Sequence, residues 1–249
     1  MHATVPLCLL VVTLFLLSPQ RILAQHRHGR QASKNLLDVN QTAVDRHYRK
    51  LDSTGKLTAY AVTIPVHDST LIAPHPEDYV LISLSRSDLE AVGSANSYVV
   101  HMEQEELQVI QGGWAHCLRN LGDAPARLIE IDVDSKIDPE HALCGLVASP
   151  CTDGRFGRTE QGTYTVSTLF ETPTVKVTKV ELGPGGCFQR HRHAGSQLLI
   201  PLTPIRLNDA PDDQLDKAAG EAHGFPAGFT HELSNIGSEN ARLLDVEVK

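Results

Sequence analysis

The chain has 249 residues, 41% hydrophobic and 21% charged, so a buried core is within reach and wholesale disorder is excluded. Its 22 Lys+Arg against 30 Asp+Glu give a net charge of −8, which lacks the basic footprint that nonspecific nucleic-acid binding needs. Eighteen Gly and fourteen Pro beside a single Trp point to many turns between short strands.

The first element is an uncharged apolar run, Val5–Leu17, with the sequence VPLCLLVVTLFLL. It has the length of a secretory h-region and falls short of the about 20 residues of a membrane span. Ala24 offers a small residue at a cut. Residues 1–24 are therefore expected to be a signal peptide, with export to the periplasm or extracellular space and no membrane span after cleavage. His2 stands where Lys or Arg is usual, and Arg21 lies close to the cut, so an uncleaved N-terminal anchor is the alternative. Cleavage removes Arg21 and Cys8, leaving four cysteines and a net charge one unit more negative.

Export to an oxidising compartment permits disulfides. Cys144 and Cys151 lie close together in a Gly/Pro-containing connector, whereas Cys117 and Cys187 belong to other segments. Spacing alone leaves three pairings open. Residues 25–50 read as a tail with a short helix around Asp38–Arg49. Its opening Gln25-His26-Arg27-His28-Gly29-Arg30 is read as a solvated terminus rather than a metal site.

The remainder repeats. Asn120-Leu-Gly-Asp-Ala-Pro-Ala126-Arg-Leu-Ile-Glu-Ile-Asp-Val133 resembles Asn235-Ile-Gly-Ser-Glu-Asn-Ala241-Arg-Leu-Leu-Asp-Val-Glu-Val248. Upstream, Leu81-Ile-Ser-Leu-Ser-Arg-Ser-Asp-Leu89 echoes Leu199-Ile-Pro-Leu-Thr-Pro-Ile-Arg-Leu207. Two echoes in the same order indicate two copies of one unit, residues 51–136 and 163–249, joined by a connector at 137–162.

Each copy reads as strands. Ile129, Ile131 and Val133 alternate with Glu130, Asp132 and Asp134, and Leu244, Val246 and Val248 alternate with Asp245 and Glu247. Period two implies one buried and one wet face. In Val175-Lys-Val177-Thr-Lys-Val180-Glu-Leu182 the phase slips by one, which predicts a bulge or bend. No helical period runs far, so the expected class is all-β, built as closed or sandwiched antiparallel sheets.

The second copy holds Gly185-Gly-Cys-Phe-Gln-Arg-His191-Arg-His193-Ala-Gly-Ser-Gln197. His191 and His193 are two apart and share one side of a strand, with Gln197 in matching parity. Downstream, Gly220-Glu-Ala-His-Gly-Phe-Pro226-Ala-Gly228-Phe-Thr-His231-Glu-Leu-Ser-Asn235 brings a third His after a Pro/Gly turn. The first segment resembles cupin motif one, Gly-x5-His-x-His-x3-Glu. The second resembles cupin motif two, Gly-x5-Pro-x-Gly-x2-His-x3-Asn, at every fixed position. With the repeat, the resemblance extends to a two-domain cupin, or bicupin. It implies two small jelly-roll-like β-barrels in tandem, each able to hold a metal ion or small ligand in its mouth.

The resemblance implies a metal set of His191, His193 and His231 with Gln197 as an optional fourth ligand. Gln197 replaces the carboxylate of motif one. An amide oxygen is neutral and weaker, so the set disfavours Mg²⁺ or Ca²⁺, prefers a divalent transition metal (Fe, Mn, Ni, Cu or Zn), and leaves charge to attract an anionic small molecule. The alternative is a barrel without an ion whose imidazoles hydrogen-bond a ligand. Arg190 and Arg192 have the opposite parity and are expected outside the site. Cys187 is expected to be an apolar barrel residue and His223 a surface residue.

The first copy is degraded. Gln111-Gly-Gly-Trp114-Ala-His116-Cys117-Leu-Arg-Asn120 keeps the Gly, His and Asn of motif two but not its Pro. His75 aligns with His193, Ala73 with His191 and Tyr79 with Gln197. Only His75 and His116 remain as ligand candidates, too few for a closed site, so this barrel is read as structural, with Trp114 and Cys117 as packing residues.

The functions implied are an exported metal-dependent enzyme on a small molecule, such as a dioxygenase, lyase or isomerase, or else a non-catalytic binding or storage bicupin. No catalytic residue outside the ligand set is nominated, because Glu232 faces away from His231 on a strand. Both a monomer and a homo-oligomer fit, since two barrels in one chain imitate a cupin dimer.

Overall fold

The structure, a computed structural model, describes residues 45–159, 162–209 and 213–249, all within one unit, Leu37–Lys249. The expected signal peptide, the His/Arg tail and most of the expected helix lie outside the described residues. Of that helix, residues 45–49 are described: Arg46 and His47 lie in a turn, and Tyr48 and Arg49 open a strand.

Among the described residues the only helical element is a 3-10 turn at Pro139–His141; the rest is nineteen strands and their connections. The first nine are β1 (Tyr48–Thr54), β2 (Leu57–Ile64), β3 (Ala73–His75), β4 (Asp78–Ser83), β5 (Ser87–Gly93), β6 (Ser97–Met102), β7 (Leu107–Ile110), β8 (Trp114–Asn120) and β9 (Ala126–Val133). They form one sheet in the order β1-β2-β9-β4-β7 and another in the order β3-β8-β5-β6. The second set is β10 (Arg155–Arg158), β11 (Thr163–Glu171), β12 (Val175–Leu182), β13 (Cys187–Arg192), β14 (Ser196–Pro201), β15 (Ile205–Asp209), β16 (Asp213–Lys217), β17 (His223–Phe225), β18 (Thr230–Asn235) and β19 (Ala241–Val248). Its sheets run β10-β11-β12-β19-β14-β17 and β13-β18-β15-β16. Leaving out β10, the two orders superpose strand for strand, so the duplication read in the sequence is a duplication of topology. Two all-β, antiparallel, jelly-roll-like barrels stand in tandem. β10 lies within the stretch expected to be a connector, yet it pairs with β11.

The alternation along β9 and β19 sorts residues between two enclosures rather than between core and water. Ile129, Ile131 and Val133 meet Leu244, Val246 and Val248 in one apolar cluster that joins the two large sheets. The opposite faces point into the barrels, where Leu128 and Leu243 join each barrel's own core. Glu130, expected on a wet face, is fully buried at 0% exposure, and Asp245 is buried as well. The phase slip in β12 has the same origin. Its pairing with β19 is unbroken from Val175 to Leu182; Val175 and Val177 face the shared cluster, and Val180 and Leu182 face the second barrel. The bulge sits on the neighbouring strand, between Thr168 and Phe170 of β11.

Cys144 and Cys151 form a disulfide, with Cα atoms 4.9 Å apart, while Cys117 and Cys187 are free. The two motif asparagines are structural. Asn235 donates to Leu182 O and Glu239 O and accepts from Gly237 N–H. Asn120 donates to Ile64 O, Pro65 O and Ala124 O and accepts from Gly122 N–H. Each buried amide pins the turn before the last strand of its barrel, closing backbone groups that burial would leave unpaired.

Candidate metal centre

Two turns aim the histidines. At Gly183–Gly186, Pro184 and a positive φ of 68° at Gly185 give a type II turn closed by Gly186 N–H to Gly183 O at 2.8 Å, which launches β13. At Pro226–Phe229, Gly228 takes φ 79° and Phe229 N–H donates to Pro226 O at 3.2 Å, launching β18. A side chain with a Cβ is disfavoured at both glycines for that reason. His191 on β13 then lies directly opposite His231 on β18. His193 follows the end of β13, held by its N–H to Phe229 O and by Gly228 N–H to its own carbonyl, both 3.0 Å.

The three rings converge. The Nε2 atoms of His191 and His231 are 3.0 Å apart, and those of His193 and His231 are 3.2 Å apart. On the other edge of each ring stands an acceptor. The Nδ1 of His191 faces Gln189 O at 2.8 Å, that of His193 faces Glu247 Oε2 at 3.3 Å, and that of His231 lies 3.5 Å from Asp209 Oδ1. The hydrogen bonds at His191 and His193 place the proton on Nδ1 and leave Nε2 as the lone pair, whereas His231 Nδ1 and Asp209 Oδ1 are close but not hydrogen-bonded. Lone pairs at that separation repel unless a cation lies among them. The spacing matches donors about 2.0–2.1 Å from a shared ion, and outer acceptors on the far nitrogen are the usual companions of metal-bound imidazoles. The residues present thus fit a metal ion.

Electrostatics sharpen this. Burial, aided by the neighbouring His231 and His193, lowers the His191 pKa to about 4, so the ring is a neutral donor. Burial also opposes a charge on His193, but the Glu247 hydrogen bond and the Asp245 and Glu247 charges outweigh it and raise its pKa. Glu247 is itself held low: burial raises it, and the His193 bond and the Gly195 N–H overcome that.

Sequence reasoning missed Asp245. It lies on β19, 3.7 Å from His193 Nε2, and burial raises its pKa to about 7, against the opposing pull of His193 and of a hydrogen bond from the Gln197 amide. Gln197 is buried on β14 with its Oε1 unpartnered. The signal was available in the repeat, where acidic residues recur in both last strands at one offset, but alternation alone assigns them to a wet face.

A cavity of about 320 Å³ adjoins the triad. Its lining includes His191, His193 and Asp245 together with Arg155, Arg190 and Arg192. Arg190 and Arg192 are exposed, as expected, and also border the cavity. The register of β13 against β18 shifts between Phe188 and His191, so strict parity does not hold there. His223 packs its ring on Phe225, and Cys187 is half-buried opposite Ser234.

The first barrel preserves the positions and changes the chemistry. Ala73 faces His116 across β3 and β8, as His191 faces His231. Tyr79, at the place of Gln197, meets His116 Nε2 through its hydroxyl at 2.8 Å. Trp114 stacks on His116 with ring centroids 3.9 Å apart, and Cys117 is buried. Burial lowers the pKa of His75 to about 4 and, with His75 adding, that of His116 to about 3. Burial and the Asp132 charge raise Glu130 to about 8, and burial and Glu77 raise Asp132 to about 6.

No protein-family model matches this sequence, and no curated protein matches it. Solved structures do match in fold. AerE from Microcystis aeruginosa superposes with a TM-score of 0.60 at 11% identity, covering 86% of this chain and 95% of that one. A variant of Bacillus subtilis oxalate decarboxylase OxdC gives 0.55 at 12% identity, covering 92% and 87%. The 11S globulin from Wrightia tinctoria gives 0.57 at 10% identity, covering 84% and 86%. In fold, this chain is similar to two-barrel structures of this kind, among them a cupin 2 conserved barrel domain protein from Leptotrichia buccalis at a TM-score of 0.51 and 14% identity, covering 81% of this chain and 88% of that one.

Proposed function

We propose that this chain is an exported bicupin that holds a divalent transition metal at His191, His193 and His231, with Gln197 as the optional fourth ligand, and takes a small anionic molecule into the adjoining cavity. The observation that carries the reading is the convergence of three Nε2 atoms, with acceptors hydrogen-bonded to Nδ1 of His191 and His193 and the Asp209 carboxyl 3.5 Å from that of His231. When bound, such an ion supplies Lewis-acid polarisation of a ligand oxygen. Arg155, Arg190 and Arg192 supply positive charge beside it. Asp245, with a pKa near 7 and its carboxyl on the cavity, can hold or release a proton at the ligand. These roles suit a dioxygenase, lyase or isomerase on a small acid. The Bacillus subtilis oxalate decarboxylase has Mn(II) centres, which is in keeping with Mn among Fe, Mn, Ni, Cu and Zn.

Export is supported by the apolar leader and by the Cys144–Cys151 disulfide, which belongs to an oxidising compartment. Secreted protein should begin at Gln25.

The second reading is non-catalytic binding of a small molecule. It is favoured by the 3.0 and 3.2 Å imidazole separations, which also suit rings sharing protons, and by the 11S globulin, which has an auxin-binding site. Elemental analysis of protein purified without chelators, with oxygen uptake measured against small acids, diketones and phenolics, tests both. Stoichiometric metal that falls by one equivalent in His231→Ala supports the first reading. Metal-free protein that binds the same acids equally well with and without His231 overturns it.

A further inference from the structure

We propose that the N-terminal barrel holds its own divalent cation, at His75, Glu130 and Asp132. Ligand atoms of these three residues lie within 4.8 Å of one another. The set is not the histidine motif transplanted. The motif position opposite His116 is Ala73, and His116 is engaged by the Tyr79 hydroxyl. Two of the three ligands come instead from β9, where Glu130 and Asp132 are two apart and so point to one side.

An independent observation marks the point where a ligand is missing. Glu130 is fully buried, and its Oε1 has no hydrogen-bond partner. The Tyr48 hydroxyl donates to Oε2 at 3.0 Å, which fixes the carboxyl and turns Oε1 toward His75, whose Nδ1 is 3.6 Å away. That distance is too long for a hydrogen bond, and an ion seated between the two atoms would satisfy both. Among the described residues, no Lys or Arg forms an ion pair with Glu130 or Asp132 that would balance their charge.

Charge and access point the same way. Two carboxylates and one neutral imidazole balance a 2+ ion, whereas three imidazoles in the other barrel leave its charge intact. Asp132 is only partly buried, and Glu77, exposed beside it, adds negative charge on the approach. An oxygen-rich set with one imidazole selects harder ions than the C-terminal triad does, of the Mn²⁺ class. The cation proposed here is therefore distinct from that of the three histidines in ligands and in preference.

Mn²⁺ titration of the metal-stripped full chain at neutral pH, read by the loss of the free-ion electron paramagnetic resonance signal, tests this. Wild type should take up two equivalents. Glu130→Gln, which keeps the shape of the protonated side chain, and Asp132→Asn should each retain one, with affinity at the lost site reduced by more than roughly 100-fold. His231→Ala should also retain one. A single equivalent that survives His231→Ala and vanishes in Glu130→Gln supports this site and counts against the C-terminal one. Uptake left unchanged by both Glu130→Gln and Asp132→Asn overturns the proposal, as does a wild type whose only equivalent is lost with His231.

Discussion

His191 and His231 are direct register partners across β13 and β18, and their Nε2 atoms stand 3.0 Å apart. The pairing makes the site a product of strand register. A one-residue slip of β18 would turn His231 to the far side of its sheet.

His231→Ala should abolish metal binding at the C-terminal triad and leave the strands in place. Backbone pairing of β13 with β18 does not need the ring, although the buried ring's packing beside Phe225 and Phe229 is lost. Saturating metal at about 100 times Kd stabilises a binding-competent fold by about 2.7 kcal/mol. Added metal should therefore raise the melting temperature of wild type by more than that of the variant, which keeps only the N-terminal site. Loss of the far-ultraviolet circular dichroism spectrum in the variant would show that the histidine is structural instead.

Asp209→Asn should weaken metal binding without removing any ligand. Asp209 lies 3.5 Å from His231 Nδ1 and is buried. Outer partners of this kind are worth about 10–100-fold in affinity. Calorimetric titration that finds an unchanged Kd would detach Asp209 from the centre.

The metal-free protein should lose stability as pH rises from 6.5 to 8. Burial raises Glu130 from 4.5 to about 8 and Asp245 from 3.8 to about 7. The folded state thus keeps protons that the unfolded chain has released, and stability is lost as pH climbs through the folded values. Each such proton contributes a slope of up to about 1.4 kcal/mol per pH unit. The lowered imidazoles, His75, His116 and His191, have the opposite sign, but they act only below their ordinary value of 6.5. Glu130→Gln should flatten the curve. A melting temperature that increases over this range in wild type would contradict the assignment.

Gln197→Glu should trade stability for affinity. The substitution removes the amide that donates to Asp245 and sets a second acid against it in a buried place. The metal-free protein should lose about 1–3 kcal/mol, while Mn²⁺ affinity should increase roughly tenfold or more through the added charge. Equal stability with unchanged Mn²⁺ affinity would mean that position 197 does not sense the ion.

Ile131→Ala and Leu244→Ala should each cost about 2–5 kcal/mol. Both side chains are fully buried in the cluster between the two large sheets. They should shift one shared unfolding transition, whichever barrel carries the change. Two calorimetric transitions, with only one displaced per variant, would show that the barrels unfold separately.

Much of this was legible from residue spacing. The Gly, Pro and Asn of the motifs specify turns whose geometry is local, and His191, His193 and His231 follow from those turns. Duplication was visible because Asn120 and Asn235 each precede a strand of the same pattern. Asp245, Glu130 and Asp132 were not legible. Period two separates the faces of a strand, but it does not say whether a polar face looks at water or into a barrel. That is decided by the curvature of the whole sheet. Arg190 and Arg192 are exposed as their parity implies, and what spacing did not show is that they border the cavity, beside the irregular register of β13.

The apolar cluster between the large sheets governs whether either half can exist by itself. Cut the chain in the region of the disulfide loop, and Ile129, Ile131 and Val133 on one fragment and Leu244, Val246 and Val248 on the other lose their covering. Such uncovered apolar faces adhere to whatever matches them, most readily to another copy. Tandem duplication thus supplies each barrel with a tethered, permanent chaperone, and excised halves should be recovered as aggregates or as self-paired dimers.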